Sequence, residues 1–460
     1  MQPLAKSIPS GVRLLAPAAL AAAAVVGLVA ALQPLAAIGI AAALIFAYFV
    51  FSDLAAGFAV LAFLGYLDTL PTSGALSLDK AAGLLLAVAW LAKFTTGANR
   101  RDFFSDYPLL TWALIAFFGW SVLSLVWAPQ GGPALESLSR YAPNILLFPI
   151  AYTAVRTRRD LMIVLGALVF GAVLAASFGV LAPPEAGVIE EGSRATGTVG
   201  DPNELAAFLL AGLAVAAGFA LGRAHSLPVR VGAAAAVPLC AAGIFLSLSR
   251  GGLIALGVMF LAAMFLAGRW RLAVTGLLLA VVVGGVFYFT QLAPLPARER
   301  ITMAQGGSGR SDLWTVGLRM VKANPITGVG VGNFKAESAQ YTLQPGTIER
   351  ADLIFSSEPK VTHNTYLEIT AELGLPGLLL FLAIIGSSLG CALKAARTWE
   401  RRGDASMDAL ARGVLLGLVG MLAADFFISD MYTKLLWVML ALGPAMLALA
   451  RSERRAPNGV

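Results

Sequence analysis

The chain has 460 residues, 58% of them hydrophobic and only 13% charged, with a mean hydropathy of +0.80. Soluble domains carry about a quarter charged residues, so a soluble multidomain protein is excluded; it would have to bury more apolar surface than it could cover. The formal net charge of +7 is mostly an orientation signal, because the cations cluster at the ends of apolar runs, and no nucleic-acid partner is expected.

Lys6 and Arg13 precede an Ala-rich apolar run that has the look of a signal peptide, but further spans follow at once, so the run reads as an uncleaved first helix. Apolar windows of roughly bilayer length fall near 14–31, 34–51, 53–70, 80–96, 107–127, 142–155, 160–182, 203–222, 229–248, 251–267, 271–291, 376–395, 408–427 and 432–450. One set of ends carries Lys6/Arg13, Arg100/Arg101, Arg156/Arg158/Arg159, Arg223/Arg230, Arg269/Arg271, Lys394/Arg397/Arg401/Arg402 and Arg451/Arg454/Arg455. The positive-inside rule puts these ends in the cytoplasm. Both termini are then cytoplasmic and the span count is even, fourteen or twelve. The expected fold is all-α: one polytopic transmembrane domain over residues 1–460, with residues 292–375 inserted between spans as a large outer loop carrying amphipathic helices. Cys240 and Cys391 lie in apolar runs and read as small core residues, with no disulfide or metal framework.

The opposite face receives 128–141, 183–202, the tight turn Ser249–Gly252, the long loop and Asp425–Asp430. The residues able to carry chemistry lie there. Arg250, in Ser247-Leu248-Ser249-Arg250-Gly251-Gly252, sits between two apolar runs with almost no loop to hold it in water. It is either an interfacial arginine that snorkels or a guanidinium facing a polar cavity, where it could grip a phosphate bidentately. Arg310 opens a segment in which Leu313, Val316, Gly317, Met320 and Val321 recur at helical spacing, with Trp314 beside them, before Asn324-Pro325 ends it. That is an amphipathic helix on the membrane or roofing a cavity, and its N-terminus suits an anion. Gly328-Val329-Gly330-Val331-Gly332-Asn333-Phe334 lacks the strand, glycine spacing and acidic partner of a dinucleotide site, and reads as a tight-turning loop.

Thr362 is a natural N-cap, which predicts a helix from there to Leu373 with His363 in its first turn and a break at Gly374-Leu375-Pro376-Gly377. A neutral histidine there suits a general base near pH 7. Asn364, Glu368 and Glu372 share one face, either orienting partners or forming the wet side. Arg194 adds charge to the same cavity or pairs with Glu190 or Glu191, and Asp201-Pro202-Asn203 turns into the next span. Asp425 and Asp430 flank the last outer turn, either pairing with the arginines, serving as a carboxylate base or, as their boundary position favours, standing solvated. The outer face has no Asp-x-Asp, His-x-x-x-His or Cys cluster to serve a divalent metal.

In order and spacing, Arg194…Asp201-Pro202-Asn203, Ser247–Gly252, Gly309-Arg310…Trp314, Asn324-Pro325…Gly328-x-Gly330-x-x-Asn333-Phe334 and His363-Asn364…Glu372-x-Gly374-x-x-Gly377 resemble the O-antigen ligase/polymerase superfamily of bacterial membrane proteins. The resemblance covers about 190 to 380; before that only hydropathy matches. It implies a GT-C-like glycosyltransferase of twelve spans that moves a glycan from undecaprenyl pyrophosphate to an acceptor hydroxyl on the periplasmic face of the inner membrane, without cofactor, metal or nucleotide sugar. It further implies that Arg250 and Arg310 hold the pyrophosphate and His363 activates the acceptor. Arg194, Asn364, Asn333 and Trp314 join the substrate-binding set. Ligase-type transfer to lipid A–core is expected from the compact His363-Asn364 loop; the alternative is polymerisation onto a growing lipid-linked glycan. A flippase of lipid-linked glycans would instead need ionisable residues inside several spans and symmetric broken helices.

Overall fold

In a computed structural model, described for residues 47–67, 78–95, 102–181, 194–302, 309–346, 348–349, 351–355 and 359–455 and the isolated positions 24 and 27, the chain is helical, with no strand among those residues. In chain order the helices are α1 Leu54–Leu64, α2 Leu78–Thr95, α3 Phe103–Asp106, α4 Pro108–Leu123, α5 Gly131–Ala154, α6 Arg158–Leu181, α7 Pro202–Leu221, α8 Leu227–Leu246, α9 Arg250–Leu266, α10 Arg271–Phe287, α11 Leu295–Thr302, α12 Arg310–Ala323, α13 Phe334–Thr342, α14 Thr365–Arg401, α15 Ala405–Ala424 and α16 Lys434–Arg455. Among the described residues eight helices are long and apolar enough to cross a membrane, and three shorter apolar ones accompany them. The protein is a polytopic membrane protein. Large apolar side chains such as Trp112, Phe265 and Leu272 (67, 82 and 83% exposed) cover the outside, an arrangement that lipid tolerates and water does not.

The centre of the bundle is α7, α15 and α16, whose apolar windows are 83, 83 and 89% buried, against 17% for the peripheral Gly268–Leu292. Small residues make this centre possible, as expected where helices associate in lipid. A Cβ on Gly218 would lie 2.8 Å from the Ala409 carbonyl, and one on Gly413 would lie 2.7 Å from that of Ala214, so α7 and α15 touch backbone to backbone. Gly443 lets α16 approach Ser388 of α14 in the same way.

The two ends of the bundle differ. At one end, Arg158 pairs with Asp404 (2.5 Å) and Glu453 (2.7 Å), while Arg412 pairs with Asp408 (2.7 Å) and Glu400 (2.6 Å) and Arg269 reaches Asp408 (3.1 Å). Trp270 Nε1 also donates to Asp408. Asp408 and Arg412 are buried inside α15, so they satisfy each other as a strut, and the loop holding His225 closes on Ser406 nearby. Desolvation there pulls the His225 imidazole below its ordinary pKa. The other end gathers the α8–α9 turn, the start of α7, α12 to α14, and the α15–α16 turn.

Twelve of the sequence windows correspond to helices; 14–31 and 34–51 lie almost wholly outside the described residues. One boundary needs correction. α5 begins at Gly131, not near 142, because its first turns are polar: Glu136 and Arg140 pair across one turn on an exposed face and hide the helix from hydropathy.

Candidate functional site

Four segments converge at that second end. The first is the α8–α9 turn. Ser249 caps α9 by accepting from Gly252 N and donates to Asn203 Oδ1 (2.9 Å). The same Asn203 oxygen accepts from buried Arg194 Nη2 (2.8 Å), and Arg194 Nε donates to the Ser247 carbonyl (2.9 Å). Glu190 and Glu191 lie outside the described residues, so the partners seen for Arg194 are those of the turn. Asp201 caps α7 through Asn203 N and Glu204 N, as the Asp-Pro-Asn sequence predicts, and this puts Asn203 where it can gather the turn. Arg250 follows as the exposed first residue of α9.

The second segment is α12, with Arg310 its first residue after Gly309 in the left-handed region (φ 67°). The predicted apolar face is real. Leu313, Val316 and Met320 are buried with Val329, Phe334, Tyr341, Ile354 and Ala371 in a small core of their own, and Val321 packs on its edge. Trp314, one turn after Arg310, donates its Nε1 to the Thr362 carbonyl (3.0 Å). The indole is thereby a brace between α12 and the His363 segment.

The third segment is the glycine loop. Gly328, Gly330 and Gly332 all have positive φ, and the loop wraps around the break in α14 at Gly374. Val329 N and Gly330 N donate to the Ala371 and Glu372 carbonyls, and Leu375 N donates to Pro325 O, each at 2.9 Å. Gly374 adopts φ 67°, ψ −175°, and a Cβ there would lie 2.1 Å from Ile326 O; glycine is obligatory. Buried Glu372 accepts from Gly332 N (2.8 Å) and Phe334 N (3.2 Å). Asn333 is completely buried, with its amide exchanging hydrogen bonds with the Gln130 backbone. In this structure that amide joins two loops.

The fourth segment is Thr362–Thr365 with the α15–α16 turn. The predicted N-cap is corrected here: Asn364, not Thr362, caps α14 by accepting from Leu367 N (3.0 Å). His363 therefore precedes the helix instead of lying in its first turn. The Thr362 hydroxyl is used elsewhere, donating to Glu368 Oε2 (3.0 Å), which also accepts from Ser429. Glu368 and Glu372 are both 3% exposed, so their shared face orients partners and is not a wet side. Thr365 N donates to the Asp425 and Ile428 carbonyls, and its hydroxyl accepts from Asp430 N. Asp425 and Asp430 are fully buried, which overturns their solvated reading. Neither Asp425 carboxylate oxygen has a hydrogen-bond partner, and burial holds its carboxyl well above the usual carboxylate range.

These segments, which carry the predicted residues, are linked to one another. Gly251 packs on Phe427 of the α15–α16 turn; that turn is bonded to Thr365, two residues past His363; and Trp314 joins α12 to Thr362. Leu248 and His363, both at φ 50°, are the non-glycine residues with positive φ among the described ones. Such a conformation costs about 1–2 kcal/mol per residue and persists where the surroundings over-determine it, often at functional sites. Sequence reasoning quoted Asn203 and Ser249 as motif residues without a supporting role and did not single out Gln130 or Ser429; these roles appear only when distant segments meet.

Residues 234–382 match the family model described as O-antigen ligase. The match begins inside α8 and ends inside α14, so it includes Arg250, Arg310, Trp314, Asn333, His363 and Asn364 and leaves out Arg194. No curated protein matches the chain. Residues 234–382 are thus similar to the O-antigen ligase family, and that match supports the superfamily to which the sequence motifs pointed.

Proposed function

We propose that the protein is a metal-independent, inverting glycosyltransferase that moves a glycan from undecaprenyl pyrophosphate to an acceptor hydroxyl, most simply lipid A–core in the manner of an O-antigen ligase. The observation that carries this reading is the linkage, at one end of the bundle, of the segments that hold two arginine-led helices and both left-handed non-glycine residues found among the described ones. Arg250 and Arg310 each open a helix, where the helix dipole adds to the guanidinium charge. They would neutralise the pyrophosphate as it departs. His363 would take the proton of the attacking hydroxyl. The acceptor oxygen forms its bond to the anomeric carbon as the bond to pyrophosphate oxygen breaks, and a single attack inverts that carbon.

With Asn364 spent on a cap and Asn333 on Gln130, the pyrophosphate grip falls to the arginines, while Arg194 holds the turn that presents Arg250. The cations at the far end of the bundle support a cytoplasmic placement for that end. The site and the 292–375 loop are then periplasmic, in the inner membrane. The test is purified protein in lipid with an undecaprenyl-pyrophosphate glycan, with and without lipid A–core, resolved on a gel. A single shifted band that requires lipid A–core is expected. A ladder growing from donor alone would make the protein a polymerase, and unchanged donor in both lanes would count against transfer.

A further inference from the structure

At the end of the bundle away from the proposed transfer site, α14 and α16 enclose a cleft of about 270 Å³ lined by Lys394, Arg397, Thr398, Arg401, Arg402, Leu447 and Arg451. The spacing makes the lining. Lys394, Arg397 and Arg401 recur at three and four residues along α14, so they share a face, and Arg451 lies one turn after Leu447 on the facing helix. Arg402 reaches Glu453 (3.7 Å), whose carboxylate is already engaged by Arg158 and by Trp399 Nε1. No carboxylate among the described residues pairs with Lys394, Arg397, Arg401 or Arg451. Arg451 instead lies over the Tyr107 ring, 5.7 Å from its centroid.

Five cations around one small cleft, almost without counter-charge, repel one another. A helix-end cation serving only orientation needs no cleft and gains nothing from facing four others. We propose that this cleft binds the phosphodiester headgroup of an anionic phospholipid. The charge supplies the affinity, and Leu447 an apolar wall at the point where the acyl chains would begin. Basic pockets between membrane helices on the cytoplasmic side have this chemistry. A lipid is favoured over a free anion because α14, on one side of the cleft, leaves most of its apolar window unburied, and the cleft keeps an apolar side chain in its lining. The consequence is structural: the lipid clamps the far end of α14, the helix whose near end carries Asn364, Glu368 and Glu372.

The test is native mass spectrometry of the full-length protein in a neutral detergent, titrated with phosphatidylglycerol or phosphatidylcholine. It needs no transfer activity, so its outcome is independent of the proposed reaction. Phosphatidylglycerol adducts should form and phosphatidylcholine adducts should not. R397Q/R401Q should weaken phosphatidylglycerol binding by roughly tenfold or more, from the usual contribution of each cation at a membrane surface. R223Q/R271Q removes two exposed positive charges from the same end outside the cleft and should leave binding unchanged. All four side chains are solvent- or lipid-exposed, so folding is preserved, with the melting midpoint as check. Equal loss in both double variants, or equal binding of phosphatidylcholine, would overturn the assignment and leave the cations as an orientation signal. Complete displacement of the lipid by millimolar inorganic phosphate would also overturn it, in favour of a free-anion site.

Discussion

Glu372 is the side chain on which the glycine loop closes, and Glu372→Ala tests that role directly. Its two oxygens accept from Gly332 N at 2.8 Å and Phe334 N at 3.2 Å, and the Tyr432 hydroxyl stands 3.5 Å away. The main-chain bond from Gly330 N to Glu372 O survives in alanine, so the substitution isolates the carboxylate. It leaves two N–H groups without acceptors in a closed loop, at about 1–3 kcal/mol each, or about 2–6 kcal/mol together. The wild-type protein bears the desolvation of a buried carboxylate, which alanine escapes; the net loss should therefore fall in the lower part of that range, about 2–4 kcal/mol. Glu372→Gln keeps the shape and one acceptor but presents an amide N–H₂ to the other donor, so about half the loss is expected. The assay is thermal unfolding in lipid nanodiscs, paired with limited proteolysis between Pro325 and Leu343, which reports the loop even where the bundle stays intact. Cleavage should appear in Glu372→Ala first and in Glu372→Gln more slowly. An alanine variant that melts within about 0.5 kcal/mol of wild type, the range of an ordinary surface change, and resists protease would refute the reasoning.

Three further outcomes are expected. His363→Asn should keep the fold, since asparagine tolerates a left-handed backbone, while the transfer rate falls by about 10²–10⁴, the usual contribution of a positioned general base; a folded, fully active variant would end the assignment of His363. Arg250→Ala and Arg310→Ala should each slow transfer by about 10²–10³ without lowering the melting midpoint, and Arg310→Lys, which keeps charge but not the planar fork, should lie between; equal activity of Arg310→Ala and wild type would remove Arg310 from the site. Asp425 is buried with a raised pKa, so its stabilising share is complete below the unfolded carboxyl value of about 4 and is lost as pH rises through the folded value. Melting midpoints of Asp425→Asn and wild type should accordingly differ in favour of asparagine increasingly above about pH 4, and a gap independent of pH would show that folding does not raise the pKa of Asp425.

Hydropathy located the spans well because facing lipid is a property of each residue taken alone. The α12 face was legible for a related reason: its apolar spacing repeats along a single helix. Reading failed where two local signals competed or where burial was set by another segment. Thr362 and Asn364 are both good caps, and the choice between them is made by Glu368, which takes the Thr362 hydroxyl and leaves Asn364 to the helix. Asp425 and Asp430 stand at an apolar boundary that reads as wet, yet the backbone of Thr365 closes on their turn and buries both. The early helical turns around Glu136 and Arg140 interleave Leu135 and Leu138 with polar residues and form no continuous apolar run, so the hydropathy window starts after α5 does.

The division of labour around the site explains why so many polar groups there are buried. Each residue proposed to touch substrate is mounted beside others whose hydrogen bonds fix the backbone that presents it. Arg250 follows a turn held by Arg194, Asn203 and Ser249; Arg310 follows Gly309 and is braced through Trp314; His363 stands between a Thr362 tied to Glu368 and an Asn364 tied to Leu367. A flexible arginine or histidine would have to be ordered at each turnover, and that entropy would be subtracted from the stabilisation of the departing pyrophosphate. Here the ordering, including two left-handed residues at about 1–2 kcal/mol each, is met when the chain folds, and the stabilising source is the buried α7–α15–α16 centre. The supports should therefore be more sensitive to conservative change than the exposed arginine they present. Arg194→Lys, which keeps the charge but cannot span Ser247 and Asn203 as a fork, should lower transfer while leaving Arg250 intact, and an unaffected rate would mean that the α8–α9 turn holds its own shape.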